Sequence, residues 1–383
     1  MNNKILFSAF SAFFALFISA NSFGQQTINA TIMHGGLQRE YILYVPANYT
    51  GSDAVPILFN FHGYTSNASQ QMVYGDFRAI ADTAGFIIVH PEGTVDNTGA
   101  THFNVGWLTS NVDDVGFTLA MIDSLSSAYN IDQERIYSTG MSNGGFMSFL
   151  LACELSDRIA AVGSVTGSMT LQSLPTCNPL HPVPVVQIHG TSDGTVIYTG
   201  TQFSEPVTDV IQFWADFNNC DPTATVENIP NTSTNDGSTV EKFTHTNGDN
   251  CADVVHFKVT GGSHTWAGAV FPSPGTNYDI DASTEVWNFL SQYTINGRVD
   301  CLSADLDNTS SAPELVVFPN PTSTHFSVED LNEKTDFELI SVLGEVVLTG
   351  SLSATANEIS VSHLNKGVYF LKINEEVYEL IIE

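Results

Sequence analysis

The chemistry-bearing residues of this chain gather first around a serine set among glycines, Gly140-Met141-Ser142-Asn143-Gly144-Gly145. Upstream, Arg135-Ile136-Tyr137-Ser138-Thr139 is short, β-branched and aromatic and reads as a strand; downstream, Phe146 to Leu155 is mostly apolar and reads as a buried helix. A serine at such a strand-to-helix corner sits on a strained turn with its hydroxyl clear of the sheet, and flanking residues without side chains let the turn close. That context marks a nucleophile. The same G-x-S-x-G text recurs at Gly190-Thr191-Ser192-Asp193-Gly194, but there it leads into Thr195-Val196-Ile197-Tyr198, which favours extended structure over an immediate helix. Ser142 is therefore read as the nucleophile, and Ser192 is not.

A serine hydroxyl is a poor nucleophile near neutral pH, so a histidine must take its proton and a carboxylate must hold that imidazole in the useful tautomer. Asp193 lies on a loop after the strand-like run Val183 to His189, where an acid placed between nucleophile and histidine in chain order belongs. His264 lies in the glycine-bracketed loop Gly261-Gly262-Ser263-His264-Thr265-Trp266-Ala267-Gly268, after the strand-like Val254 to Val259. Such a loop can reach the serine corner, which singles it out among the chain's 11 histidines. The negative charge that develops on the attacked carbonyl needs backbone N–H donors, one from the residue after the nucleophile and one from an earlier strand-loop junction. Asn143 supplies the first. Tyr64 supplies the second, because Phe61-His62-Gly63-Tyr64 follows the strand-like Pro56 to Asn60. His62 itself is given a structural role. His34-Gly35-Gly36 has a similar text but separates two strand-like runs, Thr27 to Met33 and Arg39 to Val45, and reads as a hairpin turn.

Together, His62-Gly63, Val112-Asp113-Asp114-Val115-Gly116-Phe117, Gly140 to Gly145, His189-Gly190-Thr191-Ser192-Asp193 and Gly262-Ser263-His264-Thr265-Trp266 resemble the poly(3-hydroxybutyrate) depolymerase and feruloyl esterase family of secreted α/β-hydrolase esterases. The likeness runs from about Ile32 to Tyr293 with its motifs in order. It departs at Ser263, where the loop usually carries a third glycine, and at Ala267, where the family has proline. It implies a mostly parallel central sheet with helices on both faces. It also implies the triad Ser142, Asp193 and His264, with the oxyanion hole at the N–H groups of Tyr64 and Asn143. The disulfide pairs it suggests are Cys153 with Cys177 and Cys220 with Cys251, each worth about 3 kcal/mol in the loop-entropy picture; Cys301 is left over. Asp113 and Asp114 read as a helix N-terminal cap rather than paired catalytic acids. Trp107 and Trp266 flank loops near the site, where an indole can hold an aromatic acyl group or a sugar ring, and are assigned to substrate binding.

Composition frames this reading. The 383 residues carry 11 Lys and Arg against 41 Asp and Glu, a formal net charge of −30, which repels nucleic acid. Residues 1–24 read as a signal peptide: Lys4, the apolar run Ile5 to Ala20, then Ser22 and Gly24. No later stretch approaches the roughly 18 consecutive apolar residues of a membrane span. The hydrolase domain is placed at 25–296. Residues 297–313, rich in Asp, Ser, Asn and Thr, read as a linker. Residues 314–383 hold Phe318-Pro319-Asn320-Pro321 and a series of strand-like runs, which predict a small β-sandwich. Val317 to Pro321 with Lys366 to Ile373 resembles the C-terminal sorting domain of the type IX secretion system, although the chain ends Leu380-Ile381-Ile382-Glu383 where such domains finish with basic residues. Asn247-Gly248-Asp249-Asn250 reads as a polar turn and not a calcium loop, so no metal is expected, and serine ester hydrolysis needs no cofactor. The expected activity is a secreted serine carboxylic ester hydrolase. Feruloyl or acetyl groups on plant xylan are its first-choice substrates and hydroxyalkanoate polyesters the second, with a serine peptidase or a catalytically inactive binding protein as readings of another class.

Overall fold

The computed structural model describes residues 25–107, 110–271, 273–304, 315–329, 334–342, 344–353, 355–373 and 376–383. The expected signal peptide lies outside them. Two compact units divide the chain, residues 1–305 and 306–383.

The first unit is built on ten strands: β1 (Gln26–His34), β2 (Leu37–Val45), β3 (Val55–Phe61), β4 (Ile87–Pro91), β5 (Ile131–Met141), β6 (Ala161–Val165), β7 (Val185–Gly190), β8 (Thr225–Asn228), β9 (Thr239–His245) and β10 (Val254–Thr260). They pair in the order β1-β2-β4-β3-β5-β6-β7-β10-β9-β8. The six from β4 to β10 run parallel, and antiparallel strands close both edges. This is the α/β-hydrolase fold. Gly35 and Gly36, both at positive φ, turn the β1–β2 hairpin.

The parallel strands are apolar along their whole length because both faces are covered. The two-residue side-chain period sends Ile57, Phe59 and Phe61 of β3 to one face and Leu58 to the other. On the first face lie α3 (Asp114–Ala128), α4 (Asn143–Glu154) and α5 (Val207–Phe217), through Phe117, Met121, Phe149 and Trp214. On the second lie α2 (Arg78–Ala84) and α6 (Ala282–Leu290), through Ala81, Val286, Trp287 and Leu290. A short α1 (Ala68–Tyr74) follows β3 and is capped by Asn67, whose side chain accepts the Gln70 N–H.

Two expectations are corrected here. Cys153 and Cys177 are bonded, but Cys251 pairs with Cys301 across 50 residues, and Cys220 is the free thiol. Burial, then the charges of Asp253 and Asp221, push that thiol up to about 12. The reason for the changed pairing is that the chain does not loosen at residue 297. Tyr293–Thr294 and Gly297–Arg298 form a small hairpin, α7 (Val299–Ala304) follows, and Arg298 bridges to Asp253 at 2.8 Å. The first eight residues assigned to the linker thus pack onto the first unit, bringing Cys301 to Cys251.

In the second unit, β11 (Val316–Phe318), β12 (His325–Glu329) and β15 (Glu358–Ser360) form one antiparallel sheet, and β13 (Thr335–Ser341), β14 (Val346–Leu352), β16 (Gly367–Ile373) and β17 (Glu376–Ile382) form another. One apolar core joins Phe326 and Val328 of the first sheet to Leu339, Leu371 and Leu380 of the second. Two sheets about a shared core make a sandwich.

Burial also predicts an acid limit to stability. Desolvation lowers His62 to about 4, and His90 and His256 to about 3. Each folded pKa lies below the ordinary imidazole value, so the unfolded chain binds protons that the fold refuses, and stability falls as pH drops below about 6.5. The urea midpoint should be lower at pH 5 than at pH 7; an unchanged or higher midpoint at pH 5 would contradict this account.

Candidate active site

Ser142 stands between β5 and α4 with φ 53° and ψ −119°, a conformation that side chains rarely adopt. Neighbouring glycines make the turn possible. A Cβ on Gly144 would lie 2.1 Å from the Phe61 carbonyl oxygen, and one on Gly140 would lie 2.6 Å from that same atom. The Ser142 N–H is bonded to the Val165 carbonyl, and its own carbonyl accepts from Gly145 and Phe146, so the corner is fixed at both sides.

Opposite it, His264 donates from Nδ1 to Asp193 Oδ2 at 2.7 Å. The Asp193 side chain is fully buried while that of His264 keeps 20% exposure and lines the cleft. Asp193 Oδ1 accepts the N–H groups of Thr195 and Val196, at 2.8 and 2.9 Å. Burial alone would raise this carboxyl. Hydrogen bonds from His189 and His264, the charge of His264 and the Thr195 N–H outweigh it and hold Asp193 well below the usual carboxylate range. Behind the acid, the Gln187 amide donates to His189 Nδ1 at 2.9 Å, which leaves the proton on Nε2 facing the Val196 carbonyl at 2.8 Å and Asp193 Oδ2 at 3.4 Å.

Ser142, His264, Gly63 and Tyr64 line one cleft of about 600 Å³, whose walls include Val73, Tyr74, Met141 and Phe271. No hydrogen bond joins the Ser142 hydroxyl to His264 here; such contacts commonly tighten only when substrate is bound. Among the described residues the backbone N–H groups of Tyr64 and Asn143 donate to no protein acceptor. His62 fixes the turn that presents the first of them: Nδ1 donates to the Gly63 carbonyl at 2.7 Å and Nε2 accepts the Gly93 N–H at 2.9 Å. The buried Asn143 side chain clamps Phe103 at both its backbone groups, accepting at 2.7 Å and donating at 3.0 Å. Its amide was not foreseen, because only tertiary packing brings Phe103 to it.

The acidic pair opening α3 divides its work. Asp113 caps the helix by accepting the Gly116 N–H, whereas Asp114 is buried, paired with Arg39 at 2.6 Å and accepting the Asn104 N–H. The second acid therefore ties the segment after Phe103 to α3 instead of capping it.

Neither tryptophan lines the cleft. Trp266 is 1% exposed, with its ring against Phe77 and its indole N–H on Ser283, so the expectation of substrate contact is corrected: it packs behind the site, and its backbone N–H holds the Tyr74 hydroxyl. Trp107 is half-buried over Phe146, with its N–H on the Phe203 carbonyl and its edge toward Tyr64. Ser192 is exposed, with its backbone N–H on the Gly262 carbonyl, away from the cleft.

Residues 39–176 match the family described as "Esterase PHB depolymerase", and residues 316–382 match "Secretion system C-terminal sorting domain". A bifunctional acetylxylan esterase/xylanase of Neocallimastix patriciarum is 27% identical over 286 residues, covering 74% of this chain and 38% of that protein. Feruloyl esterase B of Piromyces equi is 31% identical over 193 residues, 48% of this chain and 36% of its own length. Feruloyl esterase D of Neurospora crassa is 29% identical over 182 residues, 45% of this chain and 58% of its own. The chain thus spans little more than a third of the first two.

Proposed function

We propose that this chain, which matches the PHB depolymerase esterase family over residues 39–176 and the secretion-system C-terminal sorting domain over residues 316–382, is a secreted carboxylic ester hydrolase working through an acyl-serine. The observation that carries this reading is the 2.7 Å bond from His264 Nδ1 to Asp193, in a cleft that also holds Ser142.

In this mechanism Ser142 Oγ attacks the ester carbonyl carbon while His264 Nε2 takes the hydroxyl proton. Asp193 holds the imidazole in the tautomer whose Nε2 can accept and stabilises the imidazolium that forms. The carbonyl oxygen, now an anion, receives the N–H groups of Tyr64 and Asn143, which already stand without protein acceptors and need no rearrangement. Collapse of the tetrahedral adduct breaks the bond to the alcohol oxygen, which leaves with the proton from His264. Water then attacks the acyl-serine, giving its proton to the same nitrogen, and the acid departs.

Feruloyl or acetyl esters on plant polysaccharide are the favoured substrates, supported by the names of the relatives. A hydroxyalkanoate polyester is the second reading, supported by the family description and the apolar walls Val73, Met141 and Phe271. The sorting domain and the apolar N-terminal run support export by the type IX machinery. No helix among the described residues is long and apolar enough to cross a membrane.

A panel of methyl ferulate, acetylated xylan, hydroxybutyrate oligomers and a peptide amide tests the assignment. A feruloyl or acetyl ester should turn over fastest and the amide not at all. Faster cleavage of the amide than of any ester would point to a peptidase.

A further inference from the structure

Beside the cleft runs a second depression of about 430 Å³, lined among others by Thr65, Ser66, Asn67, Thr98 and Ala100. Ser66 belongs to both, so the two adjoin at that residue. Their chemistries differ. The cleft wall contributes Val73, Tyr74, Met141 and Phe271, whereas every side chain lining the depression is neutral and most are hydroxyl or amide groups.

The depression is also built rigidly. Asp96 accepts the N–H groups of Thr98 and Ala100 and the Thr98 hydroxyl, all at Oδ1, while its Oδ2 takes the Tyr64 hydroxyl at 2.6 Å. The Thr65 N–H donates to the Thr101 carbonyl at 2.8 Å, joining the two walls. Against this fixed frame, the Thr65 hydroxyl and the Asn67 Nδ2 make no hydrogen bond to the protein among the described residues, so both are available to a ligand. Tyr64 lines the cleft and is 36% exposed, with its hydroxyl tethered to Asp96, and its own N–H is, among the described residues, one of the two unengaged amides beside Ser142.

We propose that this depression is a subsite for the sugar portion of the ester, taking a neutral glycosyl residue whose acyl group occupies the apolar cleft. The inference rests on the hydrolase reading above and deepens it. A sugar presents a ring of hydroxyls that needs donors and acceptors in a fixed array, which the hydroxyl and amide side chains of the depression offer. A hydroxyalkanoate chain, whose ester oxygens only accept, would leave the acceptor side of those groups unused. With no charged side chain in the lining and a chain charge of −30, neutral pentoses or hexoses fit and uronic acids do not.

The test compares kcat/KM for two esters of one acyl group, methyl ferulate and feruloylated neutral xylo-oligosaccharide. The native enzyme should prefer the glycosyl ester by about tenfold or more. Ala100→Trp, which fills the depression, should remove that preference while changing methyl-ester turnover less than about twofold; Thr65→Ala should reduce it about threefold. Equal turnover of the two esters by the native enzyme, or equal losses on both esters in both variants, would overturn the subsite. Failure to cleave methyl ferulate, acetylated xylan and hydroxybutyrate oligomers alike would count against the hydrolase reading instead. Titration of Ser142→Ala with unesterified xylo-oligosaccharide decides the subsite separately: saturable binding abolished by adding Ala100→Trp supports it, and no binding refutes it.

Discussion

Ser142→Ala should lower ester turnover by at least about a thousandfold without unfolding the protein. The substitution removes the attacking oxygen and keeps the Cβ, so the corner at φ 53° is asked to accept nothing larger than it already holds. The backbone bonds from the Ser142 N–H to Val165 and from Gly145 and Phe146 to the Ser142 carbonyl use no side-chain atom and should persist. Steady-state hydrolysis of methyl ferulate, alongside thermal unfolding of the same sample, reads both halves of the expectation. Activity within tenfold of the native enzyme would move the nucleophile elsewhere, with Ser192 the first place to look.

Asp193→Asn should be comparably damaging, about ten-thousandfold in kcat, by a different route. Oδ1 of the acid accepts two backbone N–H groups, so the amide oxygen of an asparagine is drawn to that side and its NH2 is turned toward His264. An NH2 cannot accept from Nδ1–H. The imidazole must then present an unprotonated Nδ1 to it and carry its proton on Nε2, where Ser142 needs an acceptor. His189 also points its Nε2–H at the Oδ2 position, so an NH2 placed there meets a second donor and the variant loses that contact as well. Pre-steady-state kinetics should show loss of the acylation step with KM little changed. A variant acylating at more than about a hundredth of the native rate would show that tautomer control is not what Asp193 provides.

The parts of the site that local sequence carried are those whose signal lies within one turn of chain. The corner at Ser142 was distinguishable from the identical text at Ser192 because a helix needs a run of apolar residues after it, and only Phe146 onward supplies one. Asp193 and His264 were legible as loop residues after strands. What escaped depends on which segments meet in space. Trp266 lies in a loop by sequence yet enters the core, because Phe77 and Ser283 come to it from two distant helical regions. Asn143 revealed its backbone role through its place after the nucleophile, but its side-chain clamp on Phe103 spans 40 residues. The polar residues from Gly297 onward lack an apolar period and so resembled a tether. Their attachment comes from an ion pair and a disulfide that composition does not encode. The pairing of Cys220 failed for the same reason, since a cysteine's partner is decided by where the chain returns.

The staple between Cys251 and Cys301 has a consequence for maturation. It closes the catalytic unit covalently a few residues before the chain passes into the segment that carries the sorting domain. Cleavage just after residue 304 therefore leaves the last helix tied by a sulfur bridge to the turn before β10, the strand that leads to His264.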